Sequence, residues 1–276
     1  FYSGDFRAHG RKGSLFERLL ADAPSEVDVL LLEGTNLRAV GDALEKPVAS
    51  ESEVESDLVT TLRRTSGLAV VLSSAQNVDR LVTAYRAALR SDRILVVDPY
   101  TADVARATRN ANIPVPGPAW PRLRVYITQR QRVRIKMAEE FERASDVKTV
   151  RVFVEDLAAD PASYVLYGAY SGEVPRLITA DALKDTGVVV WSLWDGYLDD
   201  PGGRRLQATL AATGVEFVQH HTSGHASEAD LARLVAAIAP HRVVPIHTEH
   251  PEAYPAGNLE RQPDGQWWAV HTGSSE

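Results

Sequence analysis

Six of the eight histidines in this 276-residue chain fall in one stretch: His220, His221, His225, His241, His247 and His250. Only His9 and His271 lie outside it. Imidazole ligates divalent metals and exchanges protons near neutral pH, so such a cluster carries a chemical signal. His225 lies in Thr222-Ser223-Gly224-His225-Ala226-Ser227, a predicted turn between a strand and a helix. A glycine there lets backbone approach a ligand, and the start of a helix attracts an anion such as phosphate. His247 follows Val244-Pro245-Ile246 at the end of a predicted strand, where ligand sites of α/β sheets gather. His220, His241, His250 and His271 read as ordinary polar residues. Pro251 directly after His250 argues against a helical His-X-X-His pair.

Two carboxylates are placed in a similar way. Asp5 follows Ser3-Gly4, and Glu33 follows the apolar run Leu30-Leu31-Leu32. A carboxylate at the end of a buried strand is unfavourable unless it is paired or metal-bound. Asp5, Glu33, His225 and His247 are therefore the candidate functional groups. The chain has no cysteine, so disulfides and thiolate metal sites are excluded. Any metal must rest on His, Asp and Glu, which suit zinc or manganese.

The elements that must position these groups alternate. Residues 27–32, 68–73, 93–98, 123–128, 149–154 and 188–194 read as strands. Val78, Leu81, Val82, Tyr85 and Leu89 recur at helical spacing, and further helices are expected near 102–110 and 130–144. The prolines at 114, 116, 118 and 121 mark a loop. The acidic residues of 41–57, Glu45, Glu51, Glu53, Glu55 and Asp57, read as a solvated linker. A strand over 215–219 leads to Ser227-Glu228-Ala229-Asp230, which has the form of a capping box. A helix with an apolar face at Leu231, Leu234, Val235 and Ile238 follows, closed by Pro240 and a strand over 241–247. This alternation predicts an α/β fold with a largely parallel sheet.

The net charge of −7 argues against a general nucleic-acid binder, but the charge is unevenly spread. Between Val104 and Ala138 there is no carboxylate, whereas Arg106, Arg109, Arg122, Arg124, Arg130, Arg132, Arg134 and Lys136 are present. Such a stretch is an electrostatic footprint for phosphates, and Trp120 and Tyr126 within it could stack on bases. A solvated helix face balanced by Glu139, Glu140 and Glu142 is the competing interpretation. No apolar run reaches membrane-spanning length and no signal peptide is evident, so a cytoplasmic home without membrane contact is expected.

Ser223-Gly224-His225-Ala226-Ser227, followed by a helix, Pro240 and Val244-Pro245-Ile246-His247-Thr248-Glu249, resembles the closing motifs of metallo-β-lactamase-fold hydrolases with a β-CASP insertion, of the ribonuclease J type. Ser3-Gly4-Asp5-Phe6-Arg7 resembles the segment that supplies the metal-bridging aspartate. Leu32-Glu33-Gly34-Thr35-Asn36 is similar to the first β-CASP acidic motif, and Ser74-Ala75-Gln76-Asn77-Val78-Asp79-Arg80 to the start of the insertion's first long helix. Residues 99–185 match in layout alone. The resemblance implies the carboxyl-terminal half of an αββα sandwich, residues 1–42 and 213–276, interrupted by a β-CASP domain over 43–212. It implies two divalent metals, zinc or manganese, that generate a hydroxide to cleave phosphodiester bonds, RNA being the expected substrate. Asp5 and His247 would be metal ligands. His225 would contact the scissile phosphate, with Glu33 orienting a histidine. His221, Ser223 and Gly224 would line a phosphate pocket, and Arg130, Arg132 and Arg134 would contact nucleic acid.

The family's His-X-His-X-Asp-His motif is absent from these residues. Together with a start at Phe1 that already reads as a strand entering a turn, this leads to the expectation that a further segment precedes Phe1 and that this chain alone is inactive. A non-catalytic β-CASP-like interaction subunit, and a metallohydrolase of a small ester, thioester or lactam, stay open as alternatives. A homodimer is left open as an assembly.

Overall fold

The computed structural model describes residues 1–39 and 48–270. Its strands are β1 (Val29–Glu33), β2 (Ala69–Leu72), β3 (Ile94–Val97), β4 (Leu123–Tyr126), β5 (Arg151–Val152), β6 (Tyr164–Gly168), β7 (Val188–Trp191), β8 (Glu216–Gln219) and β9 (Arg242–Ile246). Its α-helices are α1 (Gly13–Ala21), α2 (Glu51–Arg64), α3 (Val78–Arg90), α4 (Pro99–Ala107), α5 (Gln129–Met137), α6 (Phe141–Ser145), α7 (Val154–Ala159), α8 (Val174–Thr179), α9 (Pro201–Thr213) and α10 (Glu228–Ile238). They form two units, one of Phe1–Ser50 with Thr222–Glu276 and one of Glu51–His221. Among the described residues no helix is long and apolar enough to cross a membrane.

In the first unit β1 and β9 pair in parallel, with Leu31 opposite Val244 and Glu33 opposite Ile246. Residues 1–3 and 258–260 extend this sheet. The amide of Leu31 donates to the carbonyl of Phe1 at 2.8 Å and that of Ser3 to Leu31 at 3.0 Å, while Glu260 donates to Val243 at 2.9 Å. Leu30 and Leu32 turn to one face and join Phe16, Leu231, Leu234 and Ile238 in a core, so α1 and α10 cover that face. Strand alternation thus leaves the odd-numbered residues, Glu33 among them, on the other side. The start of α10 departs slightly from the expected capping box. Ser227 Oγ accepts from the Asp230 amide at 3.2 Å, but the Asp230 carboxylate takes the Ser227 hydroxyl at 2.9 Å. Ala239 then adopts a φ of 46° and Pro240 prevents continuation.

The second unit holds a seven-stranded sheet in the order β5-β4-β3-β6-β2-β7-β8, every neighbour parallel. All four residues of β2 and of β7 are buried, which explains their unbroken apolar sequences: helices cover both faces. β8 is an edge strand and correspondingly less buried.

Three expectations need correction. Tyr164–Gly168 forms the central strand β6 between β3 and β2, where no strand was expected; its five residues carry no alternation because both faces are buried. The single helix expected near 130–144 is broken into α5 and α6 by Glu139, whose φ of 55° cannot continue a helix. The acidic stretch 41–57 is not simply a solvated linker. Residues 40–47, with Glu45, lie outside the described residues, but Glu51 opens α2 and is 1% exposed. It meets Arg80, which is fully buried, in a two-pronged ion pair with both N–O distances at 3.1 Å. Thr83 donates to the same carboxylate at 2.7 Å, and the Arg80 guanidinium also reaches the Ser192 hydroxyl and, at 3.4 Å, the His220 carbonyl. This network ties α2 and α3 to the carboxyl ends of β7 and β8.

Candidate metal and phosphate site

Asp5, Glu33, His225 and His247 converge in the first unit, with one donor atom from each lying within 4.8 Å of the others. Each arrives as the local structure dictates. Gly4, with φ +57°, turns the chain sharply after Ser3 and brings Asp5 back over the end of β1. Glu33 is the last residue of β1, and His247 directly follows β9, its neighbour in the sheet. His247 has a φ of 49°, a conformation disfavoured for a residue with a side chain, which redirects its ring from the strand's pleat towards Asp5. His225 sits in the turn before α10.

Glu33 is the hub. Its Oε1 accepts from the amides of Phe6 at 3.0 Å and Ala226 at 3.1 Å, and its Oε2 accepts from His225 Nδ1 at 3.0 Å. Burial raises its pKa, but these hydrogen bonds and the positive imidazole outweigh burial and hold it below its ordinary value. The bond from Glu33 raises the His225 pKa most, against a lesser effect of burial, with the charges of Glu33 and Asp5 adding to the rise. With Nδ1 committed to Glu33, the chemistry of His225 falls to Nε2.

The surrounding loop is fixed in the same way. Asn36 donates to the carbonyls of His225 and Ala226, both at 3.0 Å, and accepts from the Ser223 hydroxyl at 3.1 Å. Ser223 Oγ in turn accepts from the His225 amide at 3.1 Å. Arg7 and His9 both donate to the Ser223 carbonyl, at 3.1 and 2.8 Å. Neither was a sequence candidate in its own right; their place immediately after Asp5, on the same excursion of the chain, was the available signal. Behind the strand ends, Tyr254 donates to the carbonyls of Leu32 and Ile246 at 2.8 and 3.0 Å, tying β1 to β9 just before Glu33 and His247. Its ring packs so closely on Gly34 that a Cβ there would lie 2.3 Å from the hydroxyl oxygen.

His247 Nδ1 meets Asp5 Oδ1 at 3.0 Å, and its carbonyl accepts from the Thr35 hydroxyl at 3.2 Å. Asp5 and His247 are exposed, while Glu33 is buried with its oxygens occupied. The donor set therefore fits a zinc-type cation at Asp5 and His247, with His225 beside it and Glu33 as an orienting group. Two such donors are fewer than the three or four that zinc takes, so these residues alone could supply only part of a metal site.

The remaining candidates lie elsewhere. Gly224 is exposed in the loop between Ser223 and His225. His221 is exposed at the end of β8, and Arg130, Arg132 and Arg134 are exposed on α5, all in the second unit. Within the basic stretch, Arg106 pairs with Asp103 at 2.7 Å and Arg122 with Asp92 at 2.6 Å, so its uncompensated charge is smaller than the sequence suggests. His220 bonds to Thr61 at 2.8 Å and His250 to Glu252 at 3.2 Å, both outside the site.

Residues 213–261 match RMMBL, the Zn-dependent metallo-hydrolase RNA specificity domain. The match is to this carboxyl-terminal segment alone. The matched segment contains Ser223, Gly224, His225 and His247, so two of the four converging groups, His225 and His247, fall within it. The fold is similar to that of a protein of unknown function from Enterococcus faecalis V583, with 20% identity and a TM-score of 0.66, over 95% of this chain and 55% of that one. This chain therefore spans about half the length of that structure. No curated protein matches the sequence.

One consequence of the Glu33–His225 pair is directly measurable. In the metal-free chain, His225 is expected to titrate above 6.5, its ordinary value, and Glu33→Gln should bring it back towards 6.5. The Glu33 contribution to stability is complete above 4.5 and is lost as pH falls through its lowered pKa. The His225 contribution is complete below 6.5 and is lost as pH rises through its raised pKa. The pair thus stabilises most between those two values. Imidazole NMR titration checks this; an unchanged His225 titration in Glu33→Gln would show that the carboxylate does not hold the ring.

Proposed function

We propose that this chain is part of a metal-dependent hydrolase that cleaves phosphodiester bonds of RNA. The observation that carries the reading is the Glu33–His225 pair beside Asp5 and His247, both histidines lying in the segment similar to an RNA specificity domain. In this reading residues 1–42 and 213–276 belong to the metallo-β-lactamase domain and 43–212 to the β-CASP insertion. Asp5 and His247 hold divalent metal, zinc or manganese, with two ions in the assembled site. Such ions supply an activated water and neutralise phosphoryl oxygens.

The protein groups do the rest. Glu33 orients the His225 ring and favours its cationic form, in which Nε2 donates to a non-bridging phosphate oxygen or delivers a proton to the departing ribose oxygen. Ser223 and Asn36 hold the His225 backbone, and the exposed Gly224 lets phosphate approach the loop. Arg130, Arg132 and Arg134 give salt-dependent contact with the RNA backbone, and His221 contributes a further polar contact.

The second reading is a non-catalytic interaction subunit that keeps Asp5, Glu33, His225 and His247 without turnover. A cleavage assay separates the two. The chain joined to the family's His-X-His-X-Asp-His segment is expected to hydrolyse single-stranded RNA with zinc or manganese and to stop when the metal is chelated. RNA binding without hydrolysis under those conditions would favour the subunit.

A further inference from the structure

Trp194 and Tyr197 stand out in the second unit because they are 60% and 50% exposed, although each carries a large apolar ring. They lie just beyond the carboxyl end of β7, on the short 3-10 turn Asp195–Asp199 and the residue before it. Carboxyl ends of parallel strands are where α/β sheets take ligands. The two rings meet edge to face, with centroids 5.3 Å apart and planes at 87°. Their backbone is held in place: Trp191 Nε1 donates to the Trp194 carbonyl at 3.1 Å. The Trp194 ring also lies directly against Gly196, where a Cβ would fall 2.3 Å from the ring, so any larger residue would displace it. An exposed aromatic pair that is this firmly positioned is a surface prepared for a flat partner.

The neighbouring strand indicates which partner. β8 pairs with β7 along its whole length, and the His220 amide donates to the Trp191 carbonyl at 3.0 Å. β8 also falls within the segment of RNA-specificity type, residues 213–261. His221, the exposed residue that follows, is hydrogen-bonded to the Ser192 backbone and feels the charge of Asp195 in the aromatic loop. Polar groups flanking a rigid aromatic pair suit a nucleobase, which offers a π-face for stacking and an edge for hydrogen bonds.

We propose that Trp194 and Tyr197 form a stacking platform for a base of single-stranded RNA, with His221 and Asp195 at its polar edge. This rests on the RNA reading above and adds residues that are distinct from the basic helix. Stacking is independent of charge, so its loss should lower affinity without changing the salt slope, whereas loss of phosphate contacts reduces that slope.

The test compares binding of a short single-stranded RNA and of an abasic ribose-phosphate oligomer of the same length by the 276-residue chain. Trp194→Ala and Tyr197→Ala are each expected to weaken RNA binding at least about fivefold, leaving the salt slope and abasic binding unchanged. Trp194→Phe should retain most of the affinity. In the unmutated chain, a photoreactive thiouridine in the RNA should crosslink to Trp194 or Tyr197, a result that needs no variant to fold. Wild-type RNA affinity in both alanine variants, with crosslinks confined to the region of Arg130, Arg132 and Arg134, would overturn the platform and leave the RNA reading standing. Loss of a dimer with unchanged RNA binding would likewise overturn it. If the unmutated chain binds neither oligomer, the RNA reading itself fails and the platform with it.

Discussion

Replacing His225 with alanine is expected to lower RNA turnover by about a hundred- to ten-thousand-fold in the complete metal-bound enzyme, while bound metal stays in place. The size follows from two roles carried by one imidazole. Its Nε2 meets charge that develops on phosphate, and the bond to Glu33 favours the protonated ring. The retention of metal follows from the hydrogen bonds. Nδ1 is committed to Glu33 at 3.0 Å, and Glu33 is filled by two further amide donors, so neither is placed as a principal ligand. Asp5→Ala should behave in the opposite way, losing metal and turnover together, because Asp5 and His247 are the exposed pair. Metal content by elemental analysis, measured beside turnover, distinguishes the two variants. Equal metal loss in both would refute the division of roles.

The second large effect concerns stability. Arg80→Ala is expected to destabilise the second unit by about 3–5 kcal/mol, because it leaves the Glu51 carboxylate buried without its cation. Arg80 is fully buried and Glu51 is 1% exposed, so water cannot substitute for the lost partner. The same change removes the donors to Ser192 and His220 that hold the ends of β7 and β8. Replacing both Arg80 and Glu51 with apolar residues of similar volume should recover much of the loss, since the buried charge is then gone. Denaturant unfolding checks this. A single-variant effect below about 1 kcal/mol, typical of an exposed pair, would contradict it.

How far the sequence revealed this molecule depended on the kind of signal. Strong local chemistry was legible. Ser223-Gly224-His225 before a capped helix, and His247 after an apolar strand, announced their positions, and the sheet register brings them to Asp5 and Glu33. The Glu33–His225 bond was expected only as some histidine being oriented; which one depends on the Asn36 and Ser223 contacts that turn the loop. Non-local pairings were not legible. Glu51 sits in an acidic run that reads as solvated, and nothing near it in sequence marks Arg80 as its partner. β6 was missed because a strand buried on both faces shows no alternation, and Glu139 hides a helix break because non-glycine residues rarely take positive φ. Arg7 and His9 likewise acquire meaning only when the Ser223 carbonyl folds onto them.

Zinc titration of the 276-residue chain by calorimetry tests the central claim most directly. With Asp5 and His247 as its two firm ligands, the chain should bind zinc weakly; Asp5→Ala should abolish the residual heat and His225→Ala should leave it unchanged. Tight stoichiometric binding by this chain, or loss of the heat on removing His225 rather than Asp5, would contradict the account.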